Sequence, residues 1–377
     1  MTNFIDRLLE LVIQIQQIPA PTFEEKRRAE FVRDLFIGEK LQDVSIDSVS
    51  NVFGRLAVLE KTKEERSKKP LIVSAHLDTV FPANTSLHVT REPDRIYGPG
   101  IGDNSMGVAA LFGLSWLLRE RKIELPGDVW FVANAGEEGL GDLRGMKAVA
   151  DRFGADVTAY LVIEGASLGH VYHRAIGVRR YRVTARTAGG HSWSDYGQPS
   201  AIHELTRLVT QITSLYVPSV PRTSLNVGRI SGGTGVNVLA AEATFELDLR
   251  SENPNTLDEL IRQVEDLIHA ASHPGVTIEC EIIGRRPAGE IPTDHPLVKL
   301  GEECLRDLGW KAELTAGSTD ANIPLSRGYP ALVLGVTTGG GAHTVHEYID
   351  TAPVEKGMEQ LVNFVNKVWK EGRGNGE

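Results

Sequence analysis

Apolar and polar positions follow two different rhythms along this chain. From Met1 to about Arg174, short apolar runs alternate with longer segments of helical period. "LIVSAH" (71–76), "VWFVANA" (129–135) and "AYLVIEG" (159–165) are apolar and β-branched at most positions. That is the pattern of strands covered on both faces, hence of a largely parallel sheet between helices. "SMGVAALFGLSWLLRE" (105–120) is apolar nearly all round, which predicts an internal helix. At the N-terminus, Phe4, Leu8, Leu9, Val12 and Ile15 share one helical face. The charged run "EKTKEERSKKP" (60–70) reads as a solvated turn between strands, and the tail "EGRGNGE" as a frayed end.

After Gly177 the rhythm changes. "RRYRVTART" (179–187) alternates with period two, and "PSAIHELTRLVTQITSLY" (199–216) is an amphipathic helix with proline in its first turn. "TSLNVGRIS" and "EATFELDLRS" are strands joined across "GGTG", "NTLDELIRQVEDLIHAAS" is a second amphipathic helix, and "VTIECEII" is a last strand. The order βαββαβ is that of a ferredoxin-like module. Helix and strand alternation resumes beyond Arg286. The expected class is therefore α/β: a mainly parallel sheet domain over 1–175 and 287–377, with a ferredoxin-like module inserted at 176–286.

Composition narrows the function. With 377 residues, 41% hydrophobic and 24% charged, the chain has the make-up of an ordinary globular protein. A formal charge of −10 argues against a partner with a phosphate backbone. Two cysteines, Cys280 and Cys304, supply neither a disulfide framework nor a thiolate zinc site, and fit a reducing compartment. The acidic, interrupted N-terminal segment lacks the basic start and unbroken apolar core of a signal peptide, and no run reaches membrane-spanning length. A soluble cytoplasmic protein is expected, without nucleic-acid or membrane partners.

The chemistry is announced by "ANAGEEG", in which Glu137 and Glu138 stand side by side where an apolar strand leaves the core. Adjacent carboxylates resist desolvation unless a cation lies beside them. Four further segments place acid or imidazole groups at strand ends or in the turns after them: His76 and Asp78 in "SAHLDTV", Asp103 in "GIGDNSMG", Glu164 in "VIEG" and His343 in "GAHTVHEYID". Asp103 alone would read as a helix N-cap. In an open parallel sheet, ligands bind beyond the carboxyl ends of the strands. All five segments are therefore expected at one edge. Two imidazoles with several carboxylates form a nitrogen and oxygen donor set suited to zinc, with cobalt or manganese as substitutes. Asp78, two residues after His76, is placed to accept the second N–H of that imidazole.

"SAHLDTV", "GIGDNSMG", "GEEG", "IEG" and "HTVHEY", in this order over nearly the whole chain, resemble the dizinc peptidases related to carboxypeptidase G, peptidase T, aminoacylase and succinyl-diaminopimelate desuccinylase. The resemblance implies two zinc ions per subunit bridged by Asp103. His76 and Glu164 complete one set of ligands, and Glu138 and His343 the other. It implies Glu137 as general base and Asp78 as the partner of His76. His343 is chosen over His346 because the family's ligand stands four residues before a glutamate, here Glu347. In the inserted module, His191 resembles the histidine that stabilises the oxyanion, and Asn237 and Arg250 resemble a substrate-binding pair. The module would act as a lid and as a dimerisation surface. Residues 316–322 and Gly339–Gly341 are expected to line the cleft.

"HTVHE" and "HLDT" lean towards peptidase T-like aminopeptidases acting on small peptides. The alternatives are a carboxypeptidase or N-acyl amino acid amidohydrolase, in which Arg250 grips a free carboxylate, and a non-catalytic metal-binding scaffold. A lidless dizinc aminopeptidase is disfavoured by the inserted module.

Overall fold

The computed structural model describes residues 2–57 and 68–371. Most of the 60–70 turn and of the C-terminal tail lie outside the described residues. The chain divides into a large unit, Met1–Ala175 with Glu290–Glu377, and a small unit, Ile176–Gly289. The rejoining point falls three residues beyond the expected 286/287 boundary, past the end of the strand Thr277–Arg286.

Among the described residues, the large unit carries most of a nine-stranded sheet. Its order is Gln42–Ile46, Val52–Leu56, Val129–Asn134, Leu71–His76, Ala159–Glu164, Ala331–Gly335, His170–Ala175, Gly289–Glu290, with Glu313–Gly317 paired to His170–Ala175. The four strands from Val129–Asn134 to Ala331–Gly335 run parallel. Val52–Leu56 and His170–Ala175 flank this block in antiparallel sense. Every position of Leu71–His76 is buried, as a two-face-covered strand requires. The chain passes from Leu71–His76 to its neighbour Val129–Asn134 and then back across it to Ala159–Glu164. That reversal makes a crevice beyond the carboxyl ends of Leu71–His76 and Ala159–Glu164, which end on His76 and Glu164.

Gly107–Glu120 is the internal helix and buries Val108 through Ser115. Thr2–Gln16 and Val354–Glu371 pack on it, and Lys26–Gly38 covers Gln42–Ile46 and Val52–Leu56. Regular α-helix starts only at Gly107, because Asp103 and Asn104 leave helical φ/ψ in the wide turn Ile101–Met106. The Asn104 side chain supplies the reason. It donates to Ile163 O (2.8 Å) and accepts from Gly107 N (3.1 Å) and Gly165 N (2.9 Å), competing with the helix ladder. A second small sheet pairs Gly339–Gly340, Tyr348–Asp350, Arg95–Tyr97 and Thr90–Arg91 in that order, and so ties the 341–347 loop to the segment before the Asp103 turn.

The small unit has four antiparallel strands in the order Thr223–Gly232, Glu242–Ser251, Gly177–Arg186, Thr277–Arg286. Two helices, Ala201–Thr213 and Pro254–Ala270, cover one face over a core that includes Tyr181, Val183, Phe245, Leu247, Leu205 and Val264. The alternate positions Arg180, Arg182, Glu246 and Asp248 pair as charges on the other face. Pro199 lies one residue outside the first helix, since its N-cap Ser200 is extended. Pro254 does occupy the first turn of the second helix, where the Asn253 side chain accepts Thr256 N–H at 3.0 Å, a cap contributing about 1 kcal/mol. No helix among the described residues is long and apolar enough to cross a membrane.

Arg28 is a fully buried cation that joins the N-terminal segment to the sheet. It donates to Ile18 O (2.9 and 2.6 Å) and to Leu77 O (2.6 Å). Burial pulls its pKa down to about 10, against the attraction of Asp78. Arg28→Ala is expected to strand these carbonyls and lower stability by about 3 kcal/mol, read as a reduced urea midpoint. An unchanged midpoint would contradict this role.

Candidate metal centre

Asp78 organises the Glu137–Glu138 doublet. Its fully buried carboxylate accepts Glu137 N–H (2.9 Å), Glu138 N–H (2.9 Å) and the Thr22 hydroxyl (2.9 Å). The turn is also shaped by Gly136 at φ +70°, where a Cβ would lie 2.0 Å from the Arg144 guanidinium. Asp78 thereby fixes the backbone of both acidic residues, while their side-chain charges still call for a cation beside them. The expected contact from His76 Nδ1 to the Asp78 carboxylate is long, at 3.6 Å; the Asp78 backbone carbonyl is closer, at 3.0 Å. The strand ends at His76, so the two-residue alternation that would have aligned both side chains stops there.

Glu347 plays the matching part for Asp103. Its buried carboxylate accepts backbone N–H groups of Gly100 (2.9 Å), Gly102 (2.7 Å) and Asp103 (2.8 Å). The far side of the turn presses on Gly165, where a Cβ would lie 2.4 Å from Gly102 O, so only glycine can follow Glu164. Asp103 makes no side-chain cap to the helix. It faces two imidazoles instead: Oδ1 lies 3.0 Å from His76 Nε2 and Oδ2 lies 3.1 Å from His343 Nε2. Glu164 stands 3.7 Å from His76 Nε2, and Glu138 stands 3.2 Å from His343 Nε2.

The structure thus brings His76, Asp103, Glu137, Glu138, Glu164 and His343 to one place. Potential ligand atoms lie within 4.8 Å of one another in three sets: His76, Asp103 and Glu164; Asp103, Glu138 and His343; and His76, Glu137 and Glu138. Two of these sets share Asp103, with one oxygen towards each imidazole. A bridging carboxylate between two N,O donor sets fits a pair of divalent cations.

The electrostatics agree with that fit. Burial opposes charge on His76, yet Asp103, Asp78 and Glu164 outweigh it and raise its pKa well above the ordinary value. Asp103 and Glu138 push His343 up to about 10. Desolvation opposes charge on half-buried Asp103, but its two imidazole partners hold its carboxyl below the usual range. Desolvation instead raises Glu164, and raises Glu347 to about 7 despite its backbone donors. The cluster has more anion than its imidazoles neutralise.

Around it, a cavity of about 180 Å³ is lined by Gly102, Asp103, Glu164, Ser167, Gly339 and Tyr348, among others. Of residues 316–322, Asp320 is fully buried, accepts Asn134 Nδ2 at 2.7 Å, and is raised to about 7 by desolvation. Neither Asn134 nor the anchoring role of Glu347 is evident from strand and helix periodicity. The position of Glu347, an acid directly before the strand-like "YID", was the available signal.

In the small unit, His191 is exposed on the short strand Gly190–His191, paired with Val238–Leu239, and Ser192 N–H bonds Asn237 O at 3.0 Å. His191 Nδ1 accepts backbone N–H groups of Trp193 (3.2 Å) and Ser194 (3.4 Å), which leaves the ring proton on Nε2. Arg250 is held by Asp248, Nε to Oδ1 at 2.7 Å. His173 is buried against Ile291 O (2.7 Å), and His170 lies 3.8 Å from Glu313.

A profile of peptidase family M20/M25/M40 matches residues 72–367. The chain is 24% identical to an acetylornithine deacetylase of Yersinia pseudotuberculosis over 88% of this chain and 87% of that one. Its fold is similar to a Staphylococcus aureus tripeptidase (TM-score 0.80, 23% identity, 97% and 99% covered). It is similar also to a dinuclear metal-binding peptidase of Bacillus subtilis, YXEP (TM-score 0.68, 16% identity, 98% and 99% covered).

The neighbouring carboxylates favour the protonated form of both imidazoles, so metal uptake should expel protons. Calorimetry at pH 7 in buffers of different ionisation enthalpy should show release of about two protons per chain. Release near zero would contradict the assignment. In the metal-free chain, the pairing of His343⁺ with Asp103 and Glu138 stabilises the fold fully below about pH 6.5 and is lost as pH rises through about 10.

Proposed function

The chain belongs to peptidase family M20/M25/M40, which makes it a metallopeptidase or amidohydrolase, and we propose that it is a zinc-dependent exopeptidase hydrolysing small peptides, with an aminopeptidase or tripeptidase preference. The observation that carries this reading is the convergence of His76, Asp103, Glu164, Glu138 and His343, with Glu137 on the same turn as a ligand. His76 and Glu164 would hold one ion and Glu138 and His343 the other, with Asp103 between them. Cobalt or manganese could replace zinc in such a donor set. When bound, the ions supply Lewis acidity, acidifying water and polarising the scissile carbonyl.

The remaining steps belong to the chain. Glu137 takes the proton of the attacking water and delivers it to the departing amine. Its backbone N–H on Asp78 fixes where the carboxylate starts. The Nε2–H of His191 is the proposed donor to the tetrahedral oxyanion. Asn237 and Arg250 are the proposed substrate contacts, and Arg250 must exchange Asp248 for a substrate carboxylate to serve as one. The free cysteines Cys280 and Cys304 suit a cytoplasmic setting.

The likeness to a deacetylase favours a second reading, an N-acyl amino acid amidohydrolase with the same centre. A dimer through the small unit is proposed from its edge strand Thr223–Gly232, ten residues long, one charge in its length, with Ile230 exposed. Such an edge invites pairing with a second copy.

Three measurements test these proposals. Glu137→Gln should keep its metal by elemental analysis and lose about 10²–10⁴-fold in kcat; an active variant removes the base. Matched peptides blocked at either end, assayed with zinc, cobalt and manganese, should be cut only with a free amino end. Cleavage of amino-blocked substrates alone would establish the amidohydrolase or carboxypeptidase reading. Ile230→Lys should shift sedimentation from dimer to monomer, and a wild-type monomer would refute the dimer.

A further inference from the structure

The described residues of the large unit expose five large apolar side chains: Phe23, Ile37, Val80, Leu140 and Val345. Val80 and Leu140 lie two residues after Asp78 and Glu138, and Phe23 follows Thr22, whose hydroxyl bonds Asp78. Val345 follows His343. Phe23, Val80 and Leu140 sit on three segments stitched together around the Glu137–Glu138 turn. Pro21 bridges Thr79, and Thr79 N–H bonds Ala20 O at 2.9 Å. The Thr22 hydroxyl reaches Asp78 (2.9 Å) and lies 3.5 Å from Glu138 O.

Phe23 is presented rather than merely uncovered. It is 62% exposed, yet its backbone holds φ +78°, a left-handed conformation that bulky residues rarely adopt. Buried Glu25 maintains it, accepting Phe23 N–H at 3.0 Å and the Arg144 guanidinium at 2.6 Å. That guanidinium lies 4.7 Å from the Phe23 ring centroid. A half-buried ion pair and a left-handed backbone thus hold one aromatic ring in solvent on the residue after Thr22, whose hydroxyl bonds Asp78. Strain of this kind persists where function uses it.

We propose that Phe23, with Val80 and Leu140, receives a bulky hydrocarbon side chain of the substrate next to the scissile amide, so that the enzyme selects leucine- or phenylalanine-like residues over small or charged ones. The inference rests on the amide-hydrolase reading above and specifies its substrate class. Covering these side chains removes apolar surface from water only when the substrate brings hydrocarbon of its own.

The test uses the metal-loaded full chain and three series, Xaa-Gly-Gly, Gly-Gly-Xaa and N-acetyl-Xaa, with Xaa as Leu, Phe, Ala or Lys. In the series that is cleaved, Leu and Phe should exceed Ala and Lys in kcat/KM by roughly tenfold or more. Phe23→Gly should abolish that preference through KM and leave the Ala member within about twofold. Its melting temperature should not fall, because glycine accepts the left-handed backbone. Leu140→Ser should weaken the same preference. Equal rates across Xaa would overturn the proposal, as would a Phe23→Gly variant that loses kcat on every substrate alike or melts lower. Cleavage of no member of any series would instead overturn the hydrolase reading, and this inference with it.

Discussion

Two buried carboxylates hold the turns from which the other acids point. Asp78 gathers the backbone N–H groups of Glu137 and Glu138, and Glu347 gathers those of Gly100, Gly102 and Asp103. Neither oxygen pair is left for a cation to claim outright, because backbone dipoles occupy it. Each carboxylate converts a flexible, acid-rich turn into a fixed one. The repulsion among Asp103, Glu138 and Glu164 is then not relieved by the turns moving apart. It is relieved by positive charge entering between them, from imidazolium in the metal-free chain and from divalent ions in the proposed enzyme. Rigidity and charge hunger come from the same hydrogen bonds.

Much of this was legible in the order of residues. Apolar runs ending in His76 and Glu164 mark strand ends, and an open sheet brings strand ends together whatever their distance along the chain. Glu137, Glu138, Asp103 and His343 stand out by chemical type near turn-forming glycines. What periodicity could not show is which acid faces a cation and which faces backbone. The alternation of side chains holds only inside a strand, and Asp78 lies two residues past the end of one, so its carboxylate grips the glutamate turn more closely than the His76 ring. In the sequence Glu347 stands only as a marker for His343, since its three donors come from a segment some 245 residues earlier. The wide turn ahead of the internal helix leaves no periodic trace, because Asn104 substitutes its amide for the helix ladder.

The small unit obeys sequence patterning closely because its strands alternate and both its helices are amphipathic, one of them capped by Asn253. Its chemistry is less legible. The same outward face that carries Arg250 also carries Asp248, Arg180, Arg182 and Glu246, and each guanidinium there has a carboxylate at hand. A lone arginine in a strand pattern cannot be told from a member of such a ladder without its cross-strand neighbours.

The span between Asp103 and His343 has a consequence for synthesis. The two are in contact at 3.1 Å but 240 residues apart in sequence. At about 5–20 residues per second, roughly 12–50 s separate the emergence of the acid from that of its imidazole. Over that interval the nascent acidic turns lack both His343 and the Glu347 clamp that follows it. The centre therefore cannot be completed until His343 and Glu347 have been made, long after the first of its acids.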